Sequence, residues 1–118
     1  MDKLAVIRAL DALAQESRLD IFRLLVEKGP EGIMMGTIGE TLNLPHTTLS
    51  FHLDKLRQSG LIKSEKQGRA TIYRTNYDVL VGAIQYLTDN CCNESDMTCR
   101  IEIAEKTAHT AKLKKEQQ

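Results

Sequence analysis

Apolar residues along the first thirty positions recur with the spacing of α-helices. Ser17 offers an N-cap, with Asp20 three residues later as its capping-box partner, so a second helix is predicted to begin there. This helix, which ends at Gly29-Pro30, has so many apolar residues at mixed spacing that we expect it to be buried on most sides. The first helix is predicted from five residues at helical spacing: Leu4, Ile7, Leu10, Leu13 and Ala14.

The next thirty residues predict a short extended segment and two further helices. Residues 31 to 35 fit the extended segment, and residues 36 to 42 predict a short helix. After a turn at Asn43-Leu44, Pro45 fits the first turn of a longer helix that runs to about Ser59, with Gly60 as its stop. The residues of that helix expected to face inward are Leu49, Leu53 and Leu56.

Beyond Gly60 the pattern changes from helical to extended. Residues 61–66 and 70–75 flank Gln67-Gly68-Arg69, and the second run is rich in β-forming residues, which predicts a β-hairpin. A helical pattern returns after Asn76, and from Met97 another helix is predicted. A helix-turn-helix followed by a basic hairpin is a winged helix, so the fold class is mainly α with a β-hairpin wing.

Length and composition limit the class of protein. A chain of 118 residues points to one domain, and 42% hydrophobic with 27% charged residues excludes a disordered or collagen-like protein. No apolar run is long enough to predict a transmembrane helix, so we expect no membrane partner. The first residues lack the pattern of a signal peptide, so we expect the protein in the cytoplasm.

Positive charge is concentrated in the helix-turn-helix and hairpin. The formal net charge of the chain is zero, yet residues 46–74 contain six basic and two acidic residues, a local charge of +4. A basic surface of this kind favours phosphate binding, although a solvated charged face is the alternative. The six basic residues are Lys55, Arg57, Lys63, Lys66, Arg69 and Arg74.

The second helix of a helix-turn-helix enters the major groove of DNA with its N-terminal residues at the base edges. Phe51 lies off the inward-facing stripe, so we expect its ring to contact a thymine methyl group or a neighbouring helix. The other residues predicted to contact DNA from this helix are His46, Thr47, Thr48 and Ser50. Polar residues at a helix start also serve as caps, which is the alternative interpretation.

The hairpin adds three residues to the predicted DNA-binding surface. Arg69 lies at the predicted tip, and Lys66 and Arg74 lie on the flanking strands. Charged hairpin tips also serve solubility alone. His52 lies close to the apolar stripe of the preceding helix, so we predict a packing histidine rather than a ligand for DNA or metal.

The segment from Leu44 to Ile62, LPHTTLSFHLDKLRQSGLI, resembles the recognition segment of the ArsR/SmtB-type metal-sensing repressors. Residues 10–14, 18–25 and the wing at 68–74 extend the resemblance to about 80 residues of the chain. The pattern is specific for the fold and for DNA binding, but not for the ligand. The resemblance implies a homodimer joined by its first and last helices, which binds double-stranded operator DNA of two-fold symmetry.

Three cysteines within nine residues follow the predicted winged helix: Cys91, Cys92 and Cys99. Thiolates select soft ions, and three of them suit a trivalent pyramidal centre such as As(III) or Sb(III), whereas Zn(II) prefers four ligands. Cys92 and Cys99 would lie about 10.5 Å apart along one helix, which is too far for a shared ion. The polar residues 93–96 suit the turn that a shared site requires.

The resemblance also bears on the cysteines. The family's Cys-x-Cys site at its third helix has no counterpart here, because residues 33–36 read Ile-Met-Met-Gly. Asn90-Cys91-Cys92 with a nearby third cysteine resembles a subgroup with a C-terminal arsenic site, which implies Cys91, Cys92 and Cys99 as ligands. Buried packing cysteines, oxidant-sensing thiols, another soft ion such as Cd(II), and a methylated arsenical stay open as alternatives.

Residues 1–90 are therefore expected to form the DNA-binding and dimerisation domain, and residues 91–118 a metalloid-binding segment with a dimerisation helix or tail. As(III) or Sb(III) is the expected inducer, and no organic cofactor is expected. The sequence has no Gly-rich phosphate loop, paired-carboxylate motif or Cys-x-x-Cys, so we predict that the protein is not an enzyme.

Overall fold

Five α-helices and one small sheet form from residues 1–89, the part of the chain that this computed structural model describes. The order of elements confirms the predicted winged helix. The predicted helix from Met97 and the three cysteines lie outside the described residues. The elements are α1 (Lys3–Leu13), α2 (Glu16–Lys28), a 3-10 turn (Gly29–Glu31), β1 (Ile33–Met34), α3 (Met35–Leu42), α4 (His46–Gln58), β2 (Ile62–Gln67), β3 (Ala70–Thr75) and α5 (Tyr77–Thr88).

The start of α2 differs from the prediction. Gln15, not Ser17, is the N-cap, and its side-chain oxygen accepts a hydrogen bond of 2.8 Å from the backbone N–H of Arg18. Ser17 lies within the first turn, so the predicted cap was wrong. The longer Gln15 side chain reaches the third helical N–H as a Ser or Asp cap would, and this moves the start of the helix toward the N-terminus.

The core lies between α2, α3, α4 and the start of β2. Within α2, Ile21, Phe22 and Leu25 are buried, but Leu19 and Val26 are exposed. The prediction that α2 is buried on most sides was therefore wrong, because the helix buries one face only. The predicted inward stripe of α4 is confirmed. The largest side chains that are fully buried are Ile21, Leu25, Ile38, Leu49, Leu53, Leu56, Leu61 and Ile62.

Helix α1 carries apolar residues on two faces. The face toward the core consists of small or β-branched residues, namely Val6, Ala9 and Ala12. Of the predicted stripe, Leu13 packs against the core, whereas Leu4, Ile7 and Leu10 are exposed, with exposed fractions of 56%, 51% and 42%. These three residues leave an apolar stripe exposed on the outer side of α1.

The sheet has the strand order β1-β3-β2, and both pairs are antiparallel. The predicted hairpin is confirmed: β2 and β3 pair from Ile62↔Thr75 to Gln67↔Ala70, with Gly68 in the turn at φ +64°. The extended segment predicted at residues 31–35 is shorter in the structure, because Glu31 ends the 3-10 turn and Met35 begins α3. Its pairing was not predicted. It adds β1 to the other edge of β3 through Ile33↔Tyr73 and Met34↔Ile72.

Candidate DNA-binding surface

Helices α3 and α4 form a helix-turn-helix around a short turn. Asn43 adopts the left-handed conformation at φ 55°, and the N–H of Leu44 donates to the carbonyl of Gly39 over 3.0 Å. A Cβ atom at Gly39 would lie 3.2 Å from Leu49 Cδ2 and 3.3 Å from the carbonyl oxygen of Leu44. The absence of a side chain at Gly39 therefore lets the two helices approach closely.

The N-terminal half of α4 presents polar side chains to the solvent. His46, Thr47, Thr48 and Ser50 are exposed, whereas Leu49 is buried in the core. The alternative that polar residues cap the helix does not apply, because the N-cap is Pro45 and no side chain caps the first turn. The side chains and N–H groups at the start of α4 are thus available to base edges and phosphates.

Phe51 follows this polar group on the outer side of α4. Its side chain is 55% exposed, which confirms the outward direction predicted from the sequence. The Nζ atom of Lys55 lies 5.9 Å from the centroid of the ring, within the range of a cation–π interaction. An apolar ring beside an ammonium group can contact a thymine methyl group and the neighbouring phosphate.

The three predicted wing residues do not share one face. Lys66 pairs with Thr71 and Arg74 pairs with Lys63, so the two-residue period of a strand places Lys66 and Arg74 on opposite faces of the hairpin. Arg69 is exposed in the turn between the strands, as predicted. Lys66 and Arg74 can therefore not both contact DNA from one face of the wing.

Arg74 is held at the base of the wing. Its Nη1 lies 2.7 Å from Glu65 Oε1, and its Nε donates to the carbonyl of Pro30 over 2.9 Å. Hydrogen bonds to Glu65 lower the pKa of its carboxyl group, and the bond donated by Arg74 has a larger effect than the one donated by Gln67. The guanidinium thus ties the hairpin to the turn before β1, and a DNA contact by Arg74 stays a prediction.

Ion pairs change the basic surface that the sequence indicated. The two acidic residues between positions 46 and 74 each form an ion pair with an arginine. Nη2 of Arg57 lies 2.6 Å from Oδ1 of Asp54, and Arg74 contacts Glu65. Lys55 and Lys63, which belong to the predicted basic surface, are both exposed. Within residues 46–74, the exposed Lys and Arg side chains outside these ion pairs are Lys55, Lys63, Lys66 and Arg69.

His52 lies on the inner side of α4, and its exposed fraction is 7%. This confirms the predicted packing histidine. Its Nδ1 lies 3.3 Å from Nη1 of Arg18 on α2, and its ring packs edge-on against Phe51 with centroids 5.6 Å apart. Burial is the larger cause of a lowered pKa of His52, and the positive charge of Arg18 is the smaller one.

The described residues contain no group of three or more His, Cys, Asp or Glu side chains that could hold a metal ion. The predicted ligands Cys91, Cys92 and Cys99 lie outside residues 1–89. In the same part of the chain, no helix has both the length and the apolar character needed to cross a membrane.

Comparison with known proteins identifies the same architecture. A family described as a helix-turn-helix domain matches residues 13–65. YbzH, an HTH-type transcriptional regulator of Bacillus subtilis, is 35% identical over an alignment of 86 residues, and the match covers 63% of this chain and 86% of YbzH. YceK, a second such regulator from the same organism, is 43% identical over 58 residues, or 49% of this chain. The chain spans 57% of the length of YceK.

Among solved structures, the winged helix-turn-helix DNA-binding domain of Mb0332 from Mycobacterium bovis is similar to this chain. It is a homodimer and a possible ArsR-family transcriptional regulator. The TM-score is 0.59 at 30% identity, and the match covers 73% of this chain and 80% of that one. The proteins in these comparisons are transcriptional regulators, a class that is not enzymatic.

Proposed function

This chain belongs to the helix-turn-helix transcriptional regulators of the ArsR-like type, and we propose that it is a homodimeric repressor that As(III) or Sb(III) releases from operator DNA. The proposal has three parts: α4 and the wing bind DNA, α1 contributes to the dimer interface, and the three cysteines bind the metalloid. Each part has its own support.

DNA binding is carried by one observation, the exposed and uncapped polar start of α4. Leu49, Leu53 and Leu56 anchor the opposite side of this helix in the core, so its outer face is fixed relative to the wing. We propose that the base-edge contacts come from His46, Thr47, Thr48, Ser50 and Phe51. Lys66 and Arg69 then contact phosphates beside the groove.

The dimer is supported by the outer face of α1. Leu4, Ile7 and Leu10 form an exposed apolar stripe, and Tyr86 and Leu87 are exposed near the end of α5. The two helices are adjacent, since a Cβ atom at Gly82 of α5 would lie 3.0 Å from the Met1 sulfur before α1. Mb0332 is homodimeric, which supports a second copy of this chain as the partner of this surface.

Metalloid sensing is supported by the chemistry of three thiols within nine residues. Helix α5 ends at Thr88, three residues before Cys91, and α5 packs on α1. An ion that binds the cysteines would therefore act beside the proposed dimer helices. The ion releases the protein from DNA if it binds the DNA-free arrangement of the dimer more tightly than the DNA-bound one.

The test is DNA binding followed by fluorescence anisotropy during titration with arsenite. We expect arsenite to release the wild type. Cys91→Ser, Cys92→Ser and Cys99→Ser should each retain binding without arsenite and respond less to it. Titrations with antimonite, Cd(II) and hydrogen peroxide distinguish the other soft ions and an oxidant. Wild-type affinity that saturating arsenite and antimonite leave unchanged would refute metalloid sensing, while DNA binding would still stand.

A further inference from the structure

Arg18 connects three helices through one side chain. Its Nε donates to the carbonyl of Ala12 at the end of α1 over 2.7 Å. Its Nη1 lies 3.3 Å from His52 Nδ1 on α4, while its backbone N–H is held by Gln15 at the start of α2. The side chain is half-buried, so these contacts are partly shielded from water.

We propose that Arg18 is a positioning residue for DNA recognition, which fixes the rotation of α4 relative to α1 through His52. The proposal rests on the proposed function, because it requires α4 to read DNA and α1 to join the protomers. A symmetric dimer must present its two recognition helices one turn of DNA apart. A contact that joins α1 to α4 within each protomer controls that spacing, and Arg18 makes such a contact.

The chemistry of the contact defines the state of His52. A guanidinium group donates hydrogen bonds and accepts none, so Nδ1 must offer its lone pair and the ring must be neutral with its proton on Nε2. Two side chains face the ring of His52: the charged guanidinium of Arg18 on α2, and the ring of Phe51 on α4. Both the burial and the positive charge favour the neutral ring.

A lysine at position 18 would not reproduce the contact. The planar guanidinium of Arg18 directs Nε to Ala12 and Nη1 to His52 at the same time, in a fixed geometry. A single ammonium group on a flexible stem has no such fork. We therefore expect Arg18→Lys to behave like Arg18→Gln in the test.

The experiment measures affinity for two duplexes, one selected from a random library with the wild type and one with the same bases scrambled. We expect Arg18→Gln to lose about tenfold in affinity for the selected duplex, as for one charged hydrogen bond, with little change for the scrambled duplex. Arg23→Gln is the control, since Arg23 is exposed on the same helix and the charge change is equal. We expect it to stay within about twofold on both duplexes.

Selective loss with Arg18→Gln supports the proposal. A lower melting temperature with unchanged affinity for the selected duplex would overturn it, because Arg18 would then be structural only. A wild type that does not prefer the selected duplex would overturn the proposed function, and this proposal with it. The wild type alone reveals the failure of the proposed function, so that failure is distinguished from a failure of the Arg18 proposal.

A second measurement keeps the proposal testable if Arg18→Gln does not fold. NMR of the imidazole nitrogens in the wild type, assigned with His46→Gln and His109→Gln, reports the tautomer of His52. A protonated Nδ1 at neutral pH would overturn the proposal. His52→Asn keeps an acceptor near the Nδ1 position and should retain the preference for the selected duplex, whereas His52→Gln should lose it.

Discussion

Gly32 provides the sharpest stability prediction, because two independent effects oppose any side chain there. It lies directly before β1 at φ +74° and ψ −179°, a conformation that is essentially restricted to glycine. A Cβ atom would lie 2.7 Å from Ile72 Cγ2, 2.8 Å from Arg74 Cγ and 2.8 Å from the carbonyl oxygen of Tyr73. The carbonyl belongs to the paired strand β3, so it cannot move away without breaking the sheet.

The size of the effect follows from these two contributions. The backbone conformation costs about 1–3 kcal/mol for a residue other than glycine, and forced overlap in a packed region adds about 1–3 kcal/mol. Gly32→Ala should therefore lower the free energy of unfolding by about 4 kcal/mol. Gly29→Ala is the matched control, since Gly29 has φ +72° but no atom within 4 Å of its Cβ position.

The assay is urea unfolding of both variants at one protomer concentration, because the stability of a dimer depends on concentration. Gly29→Ala should show the backbone cost alone, so Gly32→Ala should be less stable than Gly29→Ala by about 2 kcal/mol. That difference corresponds to a melting temperature lower by about 8–16 °C for a domain of this size. Equal losses in the two variants would refute the close approach of β3 to Gly32.

Three further predictions concern the DNA-binding surface and its support. Arg69→Ala should reduce the slope of log K against log salt for DNA binding by about 1.8, because the proposed dimer loses one phosphate contact of about 0.9 in each protomer. Arg23→Ala, an exposed position on α2 outside α4 and the wing, should leave the slope unchanged. Phe51→Ala should weaken DNA binding but change stability by less than about 0.5 kcal/mol. Leu53→Ala should cost about 2–5 kcal/mol in urea unfolding, and equal stability of these two variants would contradict their assigned sides of α4. The free energy of unfolding should fall as pH falls below 6.5, the ordinary pKa of histidine. The pKa of His52 is lowered in the folded protein, so the unfolded chain binds a proton at a higher pH than the folded one does. Urea unfolding at pH 7.5 and 5.5 should detect this loss in the wild type but not in His52→Asn.

The sequence predicted the elements of the fold wherever their signals were local. Helical spacing identified the helices, and Gly68 between two β-forming runs identified the hairpin. Strand β1 is only two residues long, and its partners on β3 are about 40 residues away. No local pattern encodes that pairing, so the place of β1 in the sheet was found only in the structure.

The same distinction applies to the DNA-binding surface. The exposure of Phe51 followed from its position relative to the stripe on the same helix. The ion pair of Arg74 with Glu65 depends instead on the register of two strands, and the contact between Arg18 and His52 joins residues 34 positions apart. The charges along the sequence reveal neither of these contacts, because each depends on how distant segments pack.

Helix α1 shows why periodicity identifies a stripe but not its partner. Both of its apolar faces repeat at helical spacing, yet the core takes Ala9 and Ala12 and leaves Ile7 and Leu10 outside. Small side chains let the helix approach its neighbours closely within the chain, while the large ones extend to a second surface. Within residues 1–89, one of these two apolar faces is buried and the other is exposed. The outward stripe is therefore the feature of this sequence that a dimer explains best, since one further copy of the chain would cover it.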